Sequence, residues 1–414
     1  MEEAELLVAP VAKPEDLQGP SPEIQVSLLT GGLDRPYVLG LTAALVKQGV
    51  RLEVIGNSTL EAPDMRSTAR LTFLSLYWNP LKNANVAAKL WRVFWSYVRI
   101  AFYAARAQPR IFHILWNNKF ELFDRTFLML YHKLLGKKLV LTAHNVNAGQ
   151  RDSNDSVLNR LTLKMQYRLA DRIFVHTEKM KTELSQDFGV AEPAIAVIPF
   201  GINDSMPSTD LTPAQARRRL GIREDERTIL FFGNVRPYKG LEYLVEAFHL
   251  LGSERYRLII AGEPKKDTEQ YLRNIQEAIH QAGSEERIIQ KLEFIADEEA
   301  ELYFKASDVA VLPYSIVFQS GVLFTAYSYG LPVIASDVGS LADDIVPGKT
   351  GLVCRARDAE DLARAIRTYF DSELYRTLDR RRPEIRNYAI AKHSWDTVGE
   401  ITRKVYADLL AAPQ

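Results

Sequence analysis

Two cations three residues apart, Arg236 and Lys239, stand in the segment from Gly233 to Gly240 (Gly-Asn-Val-Arg-Pro-Tyr-Lys-Gly). An apolar run precedes this segment and a helical pattern follows it. A guanidinium can grip phosphate oxygens as a fork and an ammonium as a point charge. Taken alone, the pair is better explained as an exposed charged turn. A second segment, residues 309 to 340, changes that balance. Its apolar run 309–312 breaks at Pro313, and the small residues Ser320 and Gly321 open an amphipathic stretch that runs to about Tyr329. Gly330 and Pro332 then lead into the apolar residues 333–335. A helix starting at the carboxyl end of a strand offers free N–H groups and the positive end of its dipole, which suits a phosphate. If both loops share one sheet edge, an anion site accounts for Arg236 and Lys239 better than a charged turn.

Other strand ends carry further candidates. His144 follows the run 138–142, where it could meet a ligand as a donor or acceptor near neutral pH or could be structural. His113 and His176 fall within expected strands and read as structural. Gly31 and Gly32 end the first apolar run, where they admit a close backbone approach or simply form a tight turn. Gly262 and Glu263 end the run 256–261. No Asp-x-Asp stands at a strand end and no His/Cys cluster has ligand spacing, so neither a metal nor a cofactor is expected. The absence of a Gly-x-x-x-x-Gly-Lys-Ser/Thr loop argues against ATPase chemistry.

These candidates must be positioned by alternating elements. Strands are expected at 24–29, 51–55, 71–76, 111–115, 138–142, 172–176 and 196–199, then at 228–232, 256–261, 292–295, 309–312, 333–335 and 351–354. Helices are expected between them, including 36–48, 86–107, 125–135 and 157–169 in the first half. The second half has 241–250, 268–282, 298–306, 359–370 and 395–410. This alternation predicts an α/β chain of two doubly wound, Rossmann-like domains facing a central cleft. The expected divisions are a tail at 1–22, domains at 23–205 and 206–390, and a terminal helix segment at 391–414.

Composition bounds the rest. The chain has 414 residues, 47% of them hydrophobic, which suits two domains. Its 52 basic and 52 acidic residues cancel, so no global charge draws it to nucleic acid. A single cysteine, Cys354, excludes an internal disulfide and fits a reducing compartment. The amino end is acidic and proline-rich, unlike a signal peptide, and a cytoplasmic location is expected. In residues 86–107, Lys89, Arg92, Ser96, Arg99, Tyr103 and Arg106 fall on one stripe. The helix reads as a sheet cover with a solvated basic edge, or as an interfacial helix in peripheral contact with an anionic membrane.

The segments FFGNVRPYKGLEYLVEAF, YRLIIAGEP, ASDVAVLPYS and SGVLFTAYSYGLPVIASDVGSLADDIVPGKTGLV resemble the carboxyl-terminal domain of GT-B glycosyltransferases of the large retaining family four (glycosyl transferases group 1). LLTGGLDRPYVLGLTAALVKQGVRLEVIG, LVLTAHNV, ADRIFVHTEKMKTEL and AVIPFGIN also sit where that family has counterparts. The resemblance implies a GT-B fold with an acceptor domain, a nucleotide-sugar donor domain and a last helix crossing back to the first. It also implies a retaining, metal-independent transfer of a sugar from a UDP- or GDP-sugar to a hydroxyl acceptor, in polysaccharide or glycolipid assembly. Arg236 and Lys239 would bind the donor diphosphate, with Gly233 opening their loop. Ser320, Gly321 and Val322 would present backbone amides to it, and Gly31 and Gly32 would close from the other domain. His144 would lie near the transferred sugar and acceptor, Gly262 and Glu263 along the nucleotide, and the base near 291–295. Where many members carry two glutamates flanking seven residues, this chain has Val317 and Thr325, leaving Gln319 and the Thr325 hydroxyl as polar substitutes. That departure keeps open a catalytically weak nucleotide-sugar-binding accessory protein. A GT-B epimerase ranks lower, because its acid/base groups are not evident in the cleft loops.

Overall fold

Most of the short runs of Val, Ile, Leu and Phe are buried on both faces, the pattern of parallel strands covered by helices on either side. The computed structural model describes residues 23–412, apart from 32–33, 78–84, 119, 152–154, 203–208 and 266–267. The expected tail at 1–22 lies outside the described residues. The first sheet comprises β1 (Gln25–Leu29), β2 (Arg51–Gly56), β3 (Leu71–Ser75), β4 (Ile111–Ile114), β5 (Lys138–Thr142), β6 (Arg172–Val175) and β7 (Ile195–Val197). Its order is β3-β2-β1-β4-β5-β6-β7. The second comprises β8 (Arg227–Phe232), β9 (Tyr256–Ala261), β10 (Ile288–Lys291), β11 (Val309–Leu312), β12 (Val333–Ser336) and β13 (Gly351–Cys354), in the order β10-β9-β8-β11-β12-β13. All pairings within both sheets are parallel. The strand order reverses beside β1 and beside β8, the kind of switch point at which open α/β sheets bind ligands. This is the GT-B architecture.

One continuous core fills residues 202–389. The first sheet's core also takes in Val398, Tyr406 and Leu409 from the last helix, Trp395–Ala411. That helix packs on helix Arg35–Lys47, and the Tyr406 hydroxyl lies 2.6 Å from His113 Nδ1. At its start, the Trp395 ring fills space that side chains at Gly40 and Gly201 would occupy: an added Cβ would approach the ring to 2.1 and 2.4 Å. Beside it, Ile202 N–H donates to the His393 carbonyl at 3.0 Å.

The structure corrects several expectations. The strand expected at 292–295 lies at Ile288–Lys291, because Ile288 and Ile289 take the register opposite Leu258 and Ile259 of β9. The helix expected at 125–135 begins at Glu121 and passes through a π-helical turn, Asp124–Leu128, that buries Asp124 and Arg125. Helices Glu178–Phe188, Pro213–Arg219 and Leu378–Lys392 were not anticipated; each carries many charges and little apolar face.

Helix Val86–Arg106 does cover the sheet, but not with its tryptophan and phenylalanine residues. Val93, Ser96, Ile100 and Ala104 turn inward, and the Ser96 hydroxyl satisfies itself on the Arg92 carbonyl at 3.1 Å. Tyr103 reaches Glu53 and, at 2.6 Å, the Ser27 hydroxyl. A helix lying close to strands favours small residues at the seam, so part of the polar stripe became the buried face and the large rings were left outside. No described helix is long and apolar enough to cross a membrane.

Candidate functional site

Strands β9, β8 and β11 are neighbours, so the loops after them meet at one edge. Gly233 N–H donates to the Ala261 carbonyl at 2.8 Å and Val235 N–H to the Glu263 carbonyl at 3.0 Å. Gly262 sits at φ 150°, and a Cβ there would come within 2.1 Å of the Gly233 carbonyl oxygen, so only glycine fits. On the other side, Ser315 N–H donates to the Tyr238 carbonyl at 2.8 Å, tying the cationic loop to the segment after β11.

Within this arrangement Lys239 folds back over Gly233: a Cβ on that glycine would lie 2.7 Å from Lys239 Nζ. Lys239 is only 8% exposed, and its ammonium lies 5.6 Å from the centre of the Tyr314 ring. Among the described residues it has no carboxylate partner, and neither does the half-buried guanidinium of Arg236. Burial, then the neighbouring Arg236 and Lys265, lower the Lys239 pKa to about 8. A buried ammonium without a counter-ion is costly unless an anion arrives. Glu263, on the loop after β9, is paired with Lys265 at 2.7 Å.

The helix after β11 is Gly321–Ser328. Its N-cap residue, Ser320, is buried and directs its hydroxyl to the Tyr314 hydroxyl at 3.3 Å without capping the helix. The first-turn amides of Gly321 and Val322 are therefore left without a side-chain acceptor. Nothing lies within 4 Å of a Cβ placed on Gly321, while a Val322 methyl closes on Gly233. The Gln319 Oε1 is buried without a hydrogen-bond partner among the described residues. The Thr325 hydroxyl donates to the Gly321 carbonyl at 3.0 Å, so toward a ligand it can only accept. Val317 is buried at 7% exposure and contributes no polar group.

The first domain supplies a different wall. His144 stacks on Trp116 with centroids 4.1 Å apart and rings 4° from parallel, and Tyr37 meets it edge-on at 4.7 Å. Gly31 packs so tightly on Trp116 that a Cβ would lie 2.7 Å from its side chain. Its neighbour Gly32 lies outside the described residues. His144 Nδ1 is 3.0 Å from His176 Nε2, and His176 Nδ1 is 3.3 Å from the Ile198 carbonyl. A carbonyl only accepts, so His176 carries its proton on Nδ1 and accepts at Nε2. His144 must then donate from Nδ1, leaving Nε2 as a bare acceptor, and that atom has no partner among the described residues. Burial, then His176 and His113, hold the His144 pKa well below the usual value, and burial lowers His176 to about 4.

His176 is therefore part of this wall, unlike His113, whose two ring nitrogens are taken by Tyr406 and Thr142. Trp116, His144 and His176 stand just past three adjacent strand ends, β4, β5 and β6, a signal that aligning those strands would have exposed. Gly31 and His144 share the first domain's wall, while Arg236, Lys239, Gly233, Gly262, Glu263, Ser320 and Val322 gather on the second. Phe200 links the two, 6.5 Å from His144 and stacked at 5.4 Å on Phe324 of helix Gly321–Ser328. A pocket of about 200 Å³ between the domains is lined by Tyr37 and Trp395 on one side and by Gly321, Thr325 and Ile295 on the other.

Comparison with known proteins agrees with this fold. A family model described as Glycosyltransferase Family 4 matches residues 31–205, and one described as Glycosyl transferases group 1 matches 226–372. A D-inositol 3-phosphate glycosyltransferase of Geodermatophilus obscurus is 30% identical over 208 residues, 48% of this chain and 45% of that protein. The chain spans about half of the length of that relative and of others like it. The solved structure of sucrose-phosphate synthase from Thermosynechococcus elongatus has a TM-score of 0.75 at 21% identity, covering 94% of this chain and 100% of that one. That of Anabaena HepE in complex with UDP has a TM-score of 0.72 at 15% identity, covering 93% and 100%. With a matched family model on each side of its cleft, the chain belongs to the family-four glycosyltransferases, the glycosyl transferases group 1.

Proposed function

We propose that the protein is a retaining, metal-independent glycosyltransferase that moves a sugar from a nucleotide-diphosphate donor to an acceptor hydroxyl. The observation that carries this is Lys239: a buried ammonium with no carboxylate partner among the described residues, beside Arg236 and the uncapped end of helix Gly321–Ser328. Cations and oriented amides converge where a diphosphate would rest, and the positive charge they supply supports a reaction in which no metal neutralises the leaving group. The complex of HepE with UDP supports a uridine nucleotide as the first donor to test.

In the reaction, the bond between the anomeric carbon and the phosphate oxygen breaks, and the acceptor oxygen bonds to the same face. The acceptor proton passes to the departing diphosphate, so the protein's part is positioning and charge stabilisation. His144 Nε2, a fixed acceptor, is suited to a hydroxyl of the transferred sugar. Gln319 Oε1 and the Thr325 hydroxyl are the polar groups available to the sugar and ribose. The acceptor is proposed to belong to cell-surface polysaccharide or glycolipid assembly, on the cytoplasmic side of a membrane that the protein contacts peripherally.

The test is a thermal-shift and calorimetric screen against UDP, GDP and their sugars, followed by assays of donor consumption. Binding raises native-state stability. A nucleotide sugar that both stabilises the chain and is consumed supports the transferase. Binding without turnover across a broad acceptor panel favours an accessory nucleotide-sugar binder, a reading motivated by Val317 and Thr325.

A further inference from the structure

The first domain carries an apolar surface for which donor chemistry has no use. On helix Val86–Arg106, Leu90, Trp91, Phe94, Trp95 and Phe102 are 44–60% exposed. Beside them, Phe123, Phe127, Leu130 and Leu134 are 38–78% exposed. Contiguous apolar exposure of this kind marks an interaction surface. The helix also carries Lys89, Arg92, Arg99 and Arg106 and no acidic residue, so its charge selects an anionic partner. Tryptophan and phenylalanine among basic residues form the composition that settles at the boundary between lipid headgroups and acyl chains.

A groove of about 1090 Å³ opens in this surface. Leu90, Phe94, Val98 and Ala101 form one wall, and Phe120, Leu122 and Phe123 the other. It also has polar lining. Arg125 is 7% exposed, donates to Asn159 Oδ1 at 2.8 Å, pairs with Glu121, and keeps a buried Nε without a partner among the described residues. Gly149 also lines the groove. It lies five residues past His144, a stretch of chain spanning at most roughly 18 Å.

We propose that this groove holds the hydrocarbon chain of a membrane amphiphile, the acceptor whose hydroxyl reaches the cleft, while the aromatic face rests on an anionic bilayer. The identification of the amphiphile as acceptor rests on the transferase activity proposed above; the chain site and the bilayer contact do not.

The probe is a vesicle of equimolar phosphatidylcholine and phosphatidylglycerol, the latter bearing a diazirine in its acyl chain. The full-length protein should float with the vesicles. Illumination should label groove residues such as Val98, Ala101 and Leu122, located by mass spectrometry. Val98→Trp and Ala101→Phe, each filling the groove, should lose that labelling while flotation, melting temperature and nucleotide binding stay unchanged. Labelling confined to the exposed rings, or a filled groove labelled as strongly as the native one, overturns the chain site. Failure to float, or self-association abolished by Trp91→Glu in place of flotation, overturns the bilayer contact in favour of a second copy. Nucleotide binding measured on the same samples separates these outcomes from failure of the donor site.

Discussion

The loops after β8, β9 and β11 and those after β4, β5 and β6 stand at the carboxyl edges of two parallel sheets, yet they offer different resources. The second domain offers positive charge: Lys239 and Arg236 without acidic partners among the described residues, and helix amides without a side-chain cap. The first offers stacked rings, with His144 between Trp116 and Tyr37 and its proton fixed through His176. A diphosphate is the same in every donor, so charge and backbone geometry suffice to hold it. A sugar or acceptor differs by its hydroxyls and its shape, which fixed acceptors and apolar surfaces can discriminate. In the proposed function the two domains share one ligand complex, one half answering to charge and the other to shape.

The sharpest way to break that division is Lys239→Ala. It should lower donor turnover by about 100- to 1000-fold, the scale of losing one preorganised charge-stabilising donor, while the unliganded fold stays intact because an uncompensated buried charge has been removed. Steady-state kinetics with calorimetry would measure it, and unchanged nucleotide affinity would remove the diphosphate from this loop. His176→Leu should act on the other half alone. With the His144 tautomer released, kcat/KM should fall by about tenfold, near 1.4 kcal/mol, while the nucleotide Kd remains unchanged. An equal loss in nucleotide affinity would show that the two halves do not divide the ligand.

A pH series gives a smaller effect with a definite sign. The Lys239 pKa of about 8 in the fold lies below the ordinary 10.5. Between those values the unfolded chain keeps a proton that the folded chain has lost. The contribution of this group to stability therefore rises with pH across that window. Affinity for a diphosphate, which needs the charged ammonium, should fall as pH passes about 8, and Lys239→Arg should remove the dependence. The smallest expected change is in the stability of Gly321→Ala, within about 0.5 kcal/mol, because the space around that position is open. The methyl would still intrude where the donor is expected, so weaker nucleotide binding without a lower Tm would locate the phosphate there.

Much of this was legible in the sequence for physical reasons. Buried parallel strands announce themselves as unbroken apolar runs, so the run at 309–312 and the helix start at Ser320-Gly321 could be located directly, as could the cations of residues 236 and 239. Long-range register could not. Ile288–Lys291 pairs with β9 because of which residues oppose Leu258 and Ile259, and nothing local favours it over 292–295. Nor could composition show that Lys239 turns inward over Gly233, or that Ser96 and not Trp95 faces the sheet. His176 was hidden because its role depends on a neighbouring strand, not on its own.

The single tryptophan that opens the last helix has a mechanical consequence. The chain passes between the domains twice, near Ile202 and near His393, and a backbone hydrogen bond holds those passages together. The Trp395 ring sits beside them, wedged against Gly40 and Gly201 where no side chain would fit. A change in the angle between the sheets is thereby given an axle. Were the cleft to widen or narrow by rotation, its hinge edge would keep a constant gap. Enlarging Gly201 would jam that axle, and the lost motion would be felt as slow product release.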